Sequence, residues 1–135
     1  MDTALVTYLG NLRCEAVHLR SGQRVVTDAP PDNQGKGEAF SPSDLMSTSL
    51  ACCMMTIMGI AARDRDLPLM NLDARVVKHM ASNPRRVERI EVHMGMDGAG
   101  LDEKARMILE RSAYTCPVAL SLREDLVQEI TFTYR

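Results

Sequence analysis

Short runs of alternating apolar and polar residues occupy both ends of the chain, and a long apolar stretch lies between them. Within the first 28 residues, VTYL, CEAVHL and QRVVTD are β-branched or alternating, and Gly10-Asn11 and Ser21-Gly22 separate them. This pattern predicts three antiparallel strands joined by hairpins. In the following APPDNQGKGEAF, Pro30, Pro31, Gly35 and Gly37 interrupt any regular backbone. A loop of about a dozen residues is expected, long enough to be a functional segment.

At Ser41-Pro42-Ser43-Asp44 the pattern changes period. Ser41 offers a capping hydroxyl, Pro42 suits the first helical position, and Asp44 stands three residues after the cap. A helix over 41–63 follows. Its body, LMSTSLACCMMTIMGIAA, is apolar or small on every side, which predicts burial on most faces. Leu45 to Ala62 makes 18 uncharged residues, the length at which a membrane span competes with a core helix. Its four Ser/Thr residues and tightly bracketing charges favour the core helix.

Alternation returns in LDARVVKHM and VERIEVHMGM, with Asn83-Pro84 marking the turn between two long strands. LDEKARMILERS sets Ala105, Ile108, Leu109 and Ser112 on one face, the signature of a surface helix. Tyr114-Thr115-Cys116-Pro117 opens a second, short helix over VALSLRED, and VQEITFTYR closes the chain as a strand. Strands and helices are grouped rather than strictly alternating, so the fold class is α+β with antiparallel sheet. One domain over 1–135 is expected: strands in 1–28, the glycine/proline loop in 29–40, the helix in 41–63 and an α+β part in 64–135.

A chain of 135 residues, 45% hydrophobic and 25% charged, supports one modest core. The formal net charge of -2, with no Lys/Arg block, argues against a nucleic-acid partner. Ten methionines against 4% aromatics give an adaptable interior that suits an apolar ligand. The N-terminus lacks the basic and apolar regions of a secretory signal. Cysteines 14, 52, 53 and 116 have no Cys-x-x-Cys spacing, and reduced thiols in a cytoplasmic protein are expected. His18, His79 and His93 are dispersed without ligand spacing, and Gly35-Lys36-Gly37 lacks the context of a phosphate cradle. Neither a metal nor an organic cofactor is expected.

Three stretches in this order, VTDAPPDNQGKGEAF, SPSDLMSTSLACC and YTCPVALSL, resemble the OsmC/Ohr family of small redox proteins. That family carries a glycine-rich loop, a Ser/Thr/Asn-Pro helix start, a cysteine about eleven residues after the proline, and a Cys-Pro opening a later helix. Counting from Pro42 reaches Cys53, and Cys116-Pro117 supplies the second cysteine. The resemblance implies an intertwined homodimer with antiparallel sheets around long buried central helices. It also implies reduction of organic hydroperoxides: Cys53 attacks the O–O bond, Cys116 traps the sulfenic acid as a disulfide, and an external dithiol restores both thiols.

Local physics weighs these residues differently. Cys53 lies about three turns into its helix, beyond the N-terminal field, and needs a cation from elsewhere to become a thiolate. Cys116, at a helix start, is the better thiolate candidate by itself. Cys52 points away from Cys53 and packs, and Cys14 in its strand is structural. Where the peroxidase pattern has glutamate after the proline, this chain has Ser43. Asp44 matches a less characterised branch, and is equally a helix-start acid. Arg13, Arg20, Arg24 and Lys36 are candidates for the family's catalytic arginine, none securely aligned. The second function expected is binding of a small apolar or acyl ligand in a dimer pocket near Met54, Met55 and Met58.

Overall fold

A computed structural model describes residues 1–135. The backbone divides into two compact units, Met1–Met46 and Ser47–Arg135, and the division falls inside the long helix.

The first unit is a meander of β1 (Ala4–Gly10), β2 (Arg13–His18) and β3 (Arg24–Asp28), antiparallel throughout. Gly10, Asn11 and Leu12 all take positive φ at the first hairpin, where the register shifts. Only glycine adopts such backbone freely, and asparagine tolerates it. Val6, Ala16 and Val25 stand opposite one another, as do Tyr8, Cys14 and Thr27, so these six side chains share one face of the sheet. The 29–40 loop is irregular apart from a single 3-10 turn at Pro31–Asn33.

Helix α1 (Pro42–Asp64) begins where the sequence predicted. The Asp44 N–H donates to Ser41 Oγ at 3.0 Å, and the Ser41 N–H donates back to Asp44 Oδ2 at 3.0 Å. This reciprocal box satisfies two amides that the first turn leaves without helical partners. Leu50, Met54, Met58 and Ala62, four residues apart, form a buried stripe. Cys52, Thr56 and Ile60 are exposed on another side. Burial is thus one-sided within a single chain, because 135 residues offer too little surface to cover so apolar a helix. By length and mean hydropathy of 1.7, α1 passes the composition test for a membrane span, but its buried stripe is that of a core helix.

The second unit holds β4 (Asp73–Ala81), β5 (Arg86–Met96), α2 (Glu103–Ala113), α3 (Pro117–Ser121) and β6 (Val127–Tyr134). Ile90, Val92, Met94 and Met96 alternate along β5 and are buried with Leu50, Met54 and Met58 of α1 and Leu109 of α2. β4 and β5 form the expected antiparallel hairpin, whereas β6 lies parallel to β5. The antiparallel expectation therefore fails at this one pair: α2 and α3 make a crossover that returns the chain in the direction of β5. α3 is also shorter than VALSLRED, since Leu122 is already extended and Arg123 pairs with Asp125 in the turn beyond.

Candidate functional site

Cys116 caps α3. It has extended backbone, no exposed surface, and a sulfur that accepts from the Ala119 N–H at 3.3 Å. Pro117 follows at the first helical position, where no amide donor is needed. Cys53, on α1 and partly exposed, is near enough to Cys116 to act on the ionisation of its thiol. All four cysteines are free thiols.

Burial raises the pKa of the Cys116 thiol; the Ala119 and Val118 N–H groups oppose that, and the hydrogen bond and charge of Cys53 raise it further. The helix start therefore does not by itself make Cys116 a ready thiolate, as its place in the sequence had suggested. Desolvation exceeds the help of two amides at a helix start and raises the Cys116 thiol above its ordinary value. Cys52 is exposed, with its carbonyl taken by the Thr56 hydroxyl at 2.8 Å. Cys14 is half-buried on the N-terminal sheet.

Asp44 and Ser41 are joined in the capping box, and Ser43 Oγ lies 3.2 Å from Ser41 Oγ. Arg13 donates to Glu38 at 3.0 Å and to Asp28 at 3.4 Å. Arg24 pairs with Glu15 at 2.6 Å, and Arg20 and Lys36 are exposed.

The sequence model of the OsmC-like protein family matches residues 35–131, a span that includes Asp44, Cys53 and Cys116. This chain is a member of the OsmC-like family. It is 48% identical to a Psychrobacter arcticus protein provisionally named an osmotic stress induced and detoxification response protein. That crystal structure superposes with a TM-score of 0.92 over 98% of this chain and 96% of the other. An organic hydroperoxide resistance protein OsmC from Legionella pneumophila shares the fold at 14% identity, with a TM-score of 0.77 and 98% of each chain covered. An organic hydroperoxide resistance protein from Elizabethkingia anophelis does so at 15% identity, with a TM-score of 0.74, 100% of this chain and 98% of the other. No curated protein sequence matches this chain.

Two buried or half-buried acids of this OsmC-like protein escaped the sequence reading. Asp28 is 1% exposed, and its carboxyl is held below the usual range chiefly by the Glu38 N–H, with Arg13 assisting. Its Oδ1 has no partner within the chain. The sequence showed only an acid ending a strand, a position usually left to water. On the C-terminal sheet, Glu91 lies between His79 and His93, with His93 Nε2 at 2.9 Å. Those hydrogen bonds, His79 first, and the nearby Arg89 hold Glu91 at about 2. Arg75, His79, Arg89, Glu91 and His93 fall on the sheet face opposite Ile90 and Val92, a grouping visible in sequence only once the β4–β5 register is known.

Proposed function

We propose that this OsmC-like protein is a cysteine-based redox protein that reduces organic hydroperoxides through Cys53 and Cys116. What supports this reading is the nearness of the two thiols, one partly exposed and one buried, within a family whose members include organic hydroperoxide resistance proteins. Cys53 as thiolate attacks the outer oxygen of the hydroperoxide, the O–O bond breaks, and Cys53 becomes a sulfenic acid. The departing alkoxide takes a proton, for which the Cys116 thiol is a neighbouring source, and leaves as an alcohol. The resulting Cys116 thiolate attacks the sulfenic sulfur, hydroxide leaves, and a disulfide forms. An external dithiol then reduces it by exchange. Attack by Cys53 is favoured because burial keeps the proton on Cys116. Asp44 is assigned to the helix start, where both its interactions in the capping box lie.

Work as a homodimer, one domain per chain, in a reducing cytoplasm fits the free thiols and the uncovered apolar surfaces. Val6, Tyr8 and Val25 are 61%, 63% and 44% exposed on one sheet face, more apolar area than a lone sheet keeps in water. The second reading, an apolar or acyl ligand beside the methionines of α1, loses its main feature, since Met54 and Met58 have no exposed surface.

Brief treatment with cumene hydroperoxide followed by mass spectrometry tests the reaction. The unmodified protein should form a Cys53–Cys116 disulfide, Cys116→Ser should accumulate a trappable sulfenic acid on Cys53, and Cys53→Ser should consume no peroxide beyond background. Absence of both the disulfide and any accelerated peroxide loss with a dithiol present would sink the enzyme reading.

A further inference from the structure

Thirteen arginines are too many for this fold to leave unpaired, and most are engaged by carboxylates, carbonyls or an aromatic ring. Arg65 and Arg111 are exceptions that meet. Both line one cleft of about 350 Å³ in the C-terminal unit, together with Ile108, Ser112 and Thr115. No carboxylate lines it. Two other clefts of this unit differ: one balances Glu103 and Glu110 against Arg106 and Arg111, and another contains Asp73 beside Arg75 and Arg135.

Each arginine by itself has an ordinary explanation. Arg111 is in the last turn of α2 and Arg65 directly follows α1, positions where a cation complements the helix dipole. That explanation leaves their donors unused. The carbonyls ending α2 already have partners: Tyr114 N–H donates to Arg111 O at 3.3 Å, and Thr115 N–H and Oγ1 donate to Ser112 O at 3.0 and 2.7 Å. Ser112 Oγ likewise donates to Leu109 O at 2.7 Å. The hydroxyls of the cleft are therefore spent inward, and its only free donors are the two guanidinium groups. Each is a planar fork that suits a carboxylate, and their mutual repulsion is relieved by a bound negative charge. Ile108 and the aliphatic stems of the arginines supply an apolar wall.

We propose that the Arg65–Arg111 cleft binds a small organic carboxylate, its charge on the two guanidinium groups and a short apolar portion against Ile108. The volume is at the lower end for small-molecule sites and fits a short chain or single ring rather than a long acyl tail. The proposal does not rest on the thiol chemistry, although Thr115 of the cleft directly precedes Cys116.

Calorimetric titration of the intact protein with octanoate tests the proposal, with octanol and inorganic phosphate as comparison probes. Saturable octanoate binding is expected, weakened about fivefold by Arg65→Gln or Arg111→Gln and lost in the double variant, as for a partly exposed ion pair. Arg75→Gln, an exposed arginine of the other face, should bind like the parent protein, and thermal melting should show all four variants folded like the parent. Parent-like affinity in the double variant overturns the site. Octanol binding as tightly as octanoate overturns the role of the charge, and phosphate binding as tightly overturns the organic ligand class. Because the readout is heat of binding, the outcome is independent of whether the protein consumes peroxide.

Discussion

The two halves of this chain are stabilised in different ways. Residues 1–46 bury only Asp28 and Ser41, both polar, while every buried hydrophobic residue lies between Leu50 and Leu126. The N-terminal sheet is held by its backbone ladders, by Arg24–Glu15, and by Arg13 bridging Asp28 and Glu38. Surface ion pairs contribute at most about 1 kcal/mol each, and a three-stranded sheet without a covered apolar face is marginal in water. The C-terminal unit instead buries alternate residues of β5 and one stripe of α1, at roughly 1.5–3 kcal/mol per large apolar side chain. A sheet that exposes Leu5, Val6, Tyr8, Leu9 and Val25 must gain its stability from a surface beyond itself, and a second copy is the occupant proposed above.

The largest effect should come from placing a charge in the C-terminal core. Met58→Asp puts an unpaired carboxylate where no surface is exposed and should cost several kcal/mol, abolishing the cooperative melt. A parent-like melting temperature would break the contrast between the halves. Val6→Asp probes the other side. It should leave the C-terminal core folded and convert a dimer to monomers at micromolar concentration, as read by light scattering. A parent protein that is already monomeric, or a dimer indifferent to the substitution, would remove the second copy from the argument.

Acid should act next. Glu91 is held at about 2 against an ordinary 4.5, so its contribution is complete above 4.5 and is lost as pH falls through the folded value. Melting temperature should decline across that window, and Glu91→Gln should flatten the decline. An unchanged profile in the variant would detach Glu91 from acid stability. Asp28, also lowered, gives the counterpart in the N-terminal half: protonation weakens its hold on the Glu38 amide and Arg13, visible in their NMR resonances. Asp44→Asn should have the smallest effect, lowering stability by no more than about 1 kcal/mol and leaving peroxide consumption nearly unchanged. A tenfold loss of that activity in a folded protein would move Asp44 from the helix start to the chemistry.

Much of this molecule was legible in the residue pattern. Ser41, Pro42 and Asp44 announced the start of α1, since capping is settled within four residues. The alternation of LDARVVKHM and VERIEVHMGM identified a hairpin and its inner face because period two is a local property. Cys53 and Cys116 were singled out by context and by family resemblance. Sequence overrated the acidity of Cys116, since the amides at the start of α3 are local but the burial that outweighs them is not. It also missed the direction of β6, which depends on where a crossover of two helices delivers the chain. The Glu91 cluster and the Arg65–Arg111 cleft escaped for the same reason, each joining residues from separate elements.

Sequence by itself thus determined the order of strands and helices, the cap of α1 and the family to which the cysteines belong. These follow from backbone geometry and side-chain type over a few consecutive residues. Only tertiary structure decided that the Cys116 thiol is buried and raised, that Asp28 is buried and Arg13 already engaged, and that the N-terminal sheet lacks an apolar core. Desolvation and charge pairing depend on groups distant in the chain, and their sign is set only when the fold brings those groups together.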